Sequence, residues 1–207
     1  MNGLPALLML AALLPTGSGA THAEPPPHPA MRDDTIPTTT VEEAHLSLRV
    51  EFHFDAGQQV LRIRYLLNNN GNAAVALFDR GDTVAVAQGK LKAGMAAAVT
   101  TEQGKDGLSL NHRALPLRKP APTVPPVPLA ARVVAGSQLG GDVLADTGDA
   151  ARVRYCLGYA PFDTTLFSSP QPVDGVDLWR ASFDVVGTQK LLCTPWFDTA
   201  QRAFVSR

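Results

Sequence analysis

Neither sign of charge predominates in this sequence. Lys and Arg number 18 and Asp and Glu 19, a formal net charge of −1 over 207 residues. That balance excludes the broad basic footprint of a general nucleic-acid binder. Cysteine is scarce, at two residues, which excludes a disulfide-dense miniprotein and a four-cysteine zinc site. No apolar run approaches the roughly 20 residues that a helix needs to cross a bilayer. At 45% hydrophobic residues, the chain is also too apolar to be mainly disordered.

An apolar run does open the chain: LPALLMLAALL, residues 4–14. It has the length of the apolar core of a secretory signal. Small residues follow it, and both Ser18-x-Ala20 and Thr21-x-Ala23 fit a small-x-small cleavage site. No Lys or Arg precedes the run, so only the α-amino group supplies positive charge there. Residues 1–23 therefore read as a signal peptide cleaved after Ala20 or Ala23, with no membrane span in the mature chain. Neither site is followed by a Cys that could carry lipid. Residues 24–43 read as a Pro/Thr-rich flexible tether, because EPPPHPAMRDDTIPTTT (24–40) holds almost no large apolar side chain to offset its chain entropy.

From residue 44 the period becomes two. Leu46, Leu48, Val50, Phe52 and Phe54 alternate with Ser47, Arg49, Glu51 and His53. This is a strand with one buried and one wet face. A second strand over 60–67 carries Leu61, Ile63, Tyr65 and Leu67 on one face and Arg62 and Arg64 on the other. A hairpin of the two must set apolar residues opposite apolar ones, since a slip of one residue inverts a face. Phe54 then meets Leu61, Phe52 meets Ile63, and Val50 meets Tyr65. On the wet face Glu51 meets Arg64 and His53 meets Arg62.

Further along, NNNGN (68–72) marks a turn. AAVALF (73–78) and TVAVA (83–87) read as two strands joined by Asp79-Arg80-Gly81-Asp82. Residues 97–103 and 107–113 pair around a Gly-Lys-Asp-Gly turn. Residues 115–130 are proline-rich and cannot donate to a ladder, so they form a long excursion. Strand patterns resume at 131–134, 138–144 and 152–159, where Val153, Tyr155, Leu157 and Tyr159 share a face, and again in 178–197. The sum is about 8–9 short strands with Gly and Pro turns, an antiparallel β-sandwich over 44–207.

Two segments carry a resemblance. LRIRYLLNNNGNAAVALFD resembles the second-strand region of bacterial immunoglobulin-like sandwiches, with its alternating strand, Asn-Gly turn and following strand. VAGSQLGGDVLADTGDAARVRYCLGY is similar to their later part. The resemblance implies an immunoglobulin-like antiparallel sandwich. The chain departs from antibody-type domains: no early-strand Cys faces Cys156, and Tyr155 directly precedes that Cys.

Cys156 and Cys193 form the even pair that an oxidising compartment most economically joins as one disulfide. Two reduced thiols, or a redox pair without C-x-x-C spacing, are the other readings. His45 and His53 share a strand face but sit roughly 26 Å apart at about 3.3 Å per residue, too far to share a metal. No nucleophile elbow, zincin, phosphate-loop, calcium-loop or dinucleotide motif is present. The sequence therefore nominates no catalytic residue, no cofactor and no metal ligand. Asp79, Asp82, Asp142, Asp146 and Asp149 read as turn aspartates bonding their own backbone. Arg49, Arg62 and Arg64 line one face, either as a recognition stripe for an acidic partner or as a solvated face that discourages aggregation.

The expectation is an exported, non-catalytic protein that acts by binding a protein or another component of the bacterial envelope, in the periplasm or, alternatively, after full secretion. The loops at 115–130 and 162–177 are the candidate contacts. A protease inhibitor presenting one of those loops, or an envelope-directed hydrolase, are the alternatives. The ligand and the oligomeric state are not written in the sequence.

Overall fold

A computed structural model of the chain describes residues 36–205. The segment read as a signal peptide, and most of the tether, lie outside the described residues. In chain order the strands are β1 (Thr38–Glu43), β2 (Leu46–Asp55), β3 (Val60–Asn69), β4 (Val75–Leu77), β5 (Thr100–Gln103), β6 (Leu108–His112), β7 (Leu129–Val133) and β8 (Gln138–Asp146). There follow β9 (Arg152–Pro161), β10 (Phe167–Val173), β11 (Val176–Ala181), β12 (Lys190–Cys193), β13 (Trp196–Asp198) and β14 (Ala203–Val205). Two short helices, α1 (Thr83–Ala87) and α2 (Val185–Thr188), interrupt them.

The strands form two sheets packed face to face. One has the order β1-β2-β3-β8 and is antiparallel throughout. The other runs β10-β11-β7-β4-β9-β13-β14, with β12 and β6 also on β9 and β5 on β6. The β6–β9 pairing is parallel. The register of β2 on β3 sets Phe54 opposite Leu61, Phe52 opposite Ile63, Val50 opposite Tyr65 and Glu51 opposite Arg64, as the alternation requires.

The core lies between the sheets. Leu48, Val50, Phe52, Leu61, Ile63 and Leu67 of the first sheet are wholly buried against Leu110, Val153, Leu157 and Phe197 of the second. Phe52 meets the edge of Phe197 at 5.2 Å between ring centres, a favoured aromatic geometry. A smaller cluster of Ala76, Phe78, Ala130, Ala160, Phe167 and Val185 fills the base of the β10–β11 hairpin.

Four local expectations are corrected. Residues 38–43, read as part of the tether, are an edge strand instead, because β-branched Thr38–Val41 pair with β2. TVAVA is a helix: Asp82 is its N-cap, and Asp82 Oδ1 accepts from Val84 N and Ala85 N at 2.8 and 2.9 Å, which competes with an extended conformation. The segment 162–177 is mainly an ordered hairpin of β10 and β11, turning at Asp174 and Gly175, both with positive φ. The described residues contain fourteen strands, not eight or nine, because several run only three to five residues and are too short to show a period.

Candidate functional site

Two features stand out: a polar network inside the core, and a groove beside it. The network begins with two tyrosines on facing sheets. Tyr65 of β3 and Tyr155 of β9 are both buried, their rings 5.2 Å apart. A phenolic hydroxyl in a core needs a partner. Tyr65 Oη donates to Asp79 Oδ2 at 2.7 Å. Asp79 Oδ1 lies 3.2 Å from Arg80 Nε, an ion pair with both side chains almost fully buried. Arg80 reaches across to the other sheet, where Nη2 donates to the carbonyl of Gly140 at 3.1 Å.

Tyr155 Oη lies 2.8 Å from His112 Nδ1, and His112 Nε2 lies 2.8 Å from the carbonyl oxygen of Ala97. A carbonyl can only accept, so Nε2 carries the proton. In the neutral ring Nδ1 then accepts, and Tyr155 donates to it. Burial pushes the His112 imidazole below its ordinary pKa. Burial, reinforced by the charge of Asp79, pushes both phenols well above theirs. Both phenols therefore keep the protons these bonds require, and His112 favours its neutral form. Both ring nitrogens of His112 are committed, so the ring has no free lone pair aimed at solvent for proton transfer.

The groove lies between α1 and the proline-rich strap that leads from β6 to β7. Its volume is about 780 Å³, within the range of small-molecule sites. One wall is Val84, Ala85 and Leu91; the floor includes Ala98, Asn111 and Ala114. The opposite wall carries Pro116, Pro120, Pro122, Val124 and Pro126. The strap is fastened at both ends. Gln189 donates from Nε2 to the Ala114 carbonyl at 2.8 Å and accepts from Ala114 N at 3.0 Å. At the far end Thr83 N donates to the Val127 carbonyl, and Leu129 N to that of Gly81, both at 2.9 Å. Proline fixes φ between these anchors, so the wall is framed and stiff.

Arg49, Arg62 and Arg64 lie together on the outer face of the first sheet. Each has an acidic partner: Arg49 pairs with Glu51 at 3.0 Å, Arg62 with Asp142 at 2.7 Å, and Arg64 with Glu51 and Asp142 at 3.5 and 3.6 Å. Hydrogen bonding to Arg62 holds the Asp142 carboxyl below its usual range. The stripe is therefore a mixed-charge lattice. Cys156 and Cys193 are opposite each other on β9 and β12 and form a disulfide.

Asp79 and Asp142 correct the reading of turn aspartates: Asp79 is wholly buried and bonds Tyr65, and Asp142 lies within β8 and accepts from Arg62. Asp79-Arg80-Gly81-Asp82 joins a strand to a helix and not two strands, since Asp82 caps α1, and Arg80 is buried. The signal for the network was present in the alternation, which turned Tyr65 and Tyr155 inward and so demanded buried acceptors. The groove had a weaker signal, the run of prolines that cannot join a sheet.

Comparison with protein-family models, with curated proteins and with solved structures gives no match.

Proposed function

We propose that the protein is an exported, non-catalytic binding protein of the bacterial envelope, and that its contact surface is the groove under the strap. One observation carries this reading: a concave, mostly apolar surface framed by a strap tied down at both ends. An apolar concavity on a stiff frame binds without the ordering cost of a loose loop. Leu115 and Val124 stay 43% and 68% exposed on its rim, where an apolar ligand would cover them. The disulfide is consistent with an oxidising compartment. Periplasmic residence, with release from the cell as the alternative, completes the proposal.

The hydrolase alternative lacks support in the buried network, because His112 is bonded on both nitrogens. The inhibitor alternative needs a protruding loop, and the strap instead lies along the body.

The test is native mass spectrometry of the mature chain after incubation with envelope extract, beside Ala98→Trp. Ala98 is exposed on the groove and outside both clusters, so the indole fills the groove without touching the core. A bound species on the parent that the variant loses supports the proposal. The same species on both chains, or none on either, overturns it.

A further inference from the structure

Resting on the groove as the binding surface, we infer that its ligand is a long-chain aliphatic carboxylate, with the acyl chain along the groove and the head at Lys90 and Arg118. The walls argue first against a peptide. A peptide in an apolar groove must satisfy its own amides and carbonyls. The strap wall is largely proline, which has no N–H to offer, and Val84, Ala85 and Leu91 opposite add only hydrocarbon. Phe78 is the one phenyl or indole ring among the lining residues, so there is no aromatic platform for a proline-rich segment or a sugar face. A hydrocarbon chain has nothing to satisfy and gains the full apolar burial.

The charges give the head group. Four charged residues line the groove: Asp82, Lys90, Arg113 and Arg118. Asp82 is engaged in capping α1, and Arg113 pairs with Glu102 at 3.2 Å. Lys90 and Arg118 have no ion-pair partner among the described residues. The unbalanced charge on the groove is thus positive and calls for an anion. Asn111 on the floor is 3% exposed and its Nδ2 is sealed away from the groove, so the two cations alone call for the anion. A proline wall facing hydrocarbon, with two unpaired cations on the same groove, suits an acyl chain with an anionic head.

The test is isothermal titration of the mature chain with dodecanoate, kept below its micelle concentration, with dodecyltrimethylammonium and dodecanol as controls. The parent chain binds dodecanoate at one site and the cationic amphiphile not measurably. Charge reversal at both Lys90→Glu and Arg118→Glu weakens dodecanoate about tenfold or more, while dodecanol is unaffected. Ala98→Trp removes dodecanoate binding with the melting temperature preserved. Equal binding of the cationic amphiphile, or dodecanoate binding that survives Ala98→Trp, overturns the inference. If dodecanoate does not bind, yet an envelope species is held by the parent and lost by Ala98→Trp, the carboxylate inference falls and the groove reading stands. If nothing is held by the groove at all, both fall.

Discussion

The polar network turns on a few atoms, and substitutions there separate charge from hydrogen bonding. Tyr65→Phe removes the donor to Asp79 Oδ2 and leaves a buried carboxylate short of one bond. The expected loss is about 1.5–3 kcal/mol. Asp79→Asn leaves the Arg80 guanidinium buried without its counter-charge, an expected loss of about 3–5 kcal/mol. Urea denaturation of both variants checks the order; a larger loss for Tyr65→Phe would contradict it. Gly141 belongs to the same argument. A Cβ there would collide with the Tyr65 hydroxyl and ring, so Gly141→Ala should destabilise by about 1–3 kcal/mol through overpacking. His112 sets a pH dependence. Its folded pKa is depressed by burial from 6.5. The unfolded chain takes up that proton at higher pH than the folded chain, so acid favours unfolding. Stability should fall as pH drops from about 7 to about 5.5, and His112→Gln should flatten that slope. Identical slopes would remove His112 from the account.

Among elements, the strap and the β9–β12 pair make separate predictions. The disulfide closes a loop with a sequence separation of 37, which stabilises by roughly 3–4 kcal/mol in the chain-entropy model. Reduction should therefore lower the urea midpoint at pH 7, and an unchanged midpoint would deny it that role. Gln189→Ala frees the Ala114 end of the strap while leaving the sheets intact. Limited proteolysis should then nick within 115–126 faster than in the parent, with little change in melting temperature. Legibility in the sequence followed element length. Ten-residue β2 and β3 declare their faces five times over, so their pairing and register are legible in the sequence. Three-residue β4, β13 and β14 cannot declare a period. Five residues of TVAVA have strand composition, yet one capping carboxylate decides for helix. Asp79 looked like turn chemistry because a short strand hides which way the next residue points.

At the scale of the whole molecule, two sheets enclose one core, and the second sheet carries the additions that build a groove. β2 and β3 needed only alternation to be placed; the groove needed contacts between α1, β6, the strap and Gln189, residues more than 70 positions apart in places. No local pattern encodes such a closure, which is why the proline run marked the place without revealing the concavity. The central claim is that ligand occupies this groove and not the charged face of the other sheet. The direct measurement is photo-crosslinking in the envelope, with a benzophenone side chain placed at Val124 on the groove rim or at Leu144 on the outer face, followed by intact mass. Both positions are about equally exposed, at 68% and 65%. The account predicts a discrete added mass at position 124 and none at 144. An adduct at 144 alone, or none at either position, would contradict it.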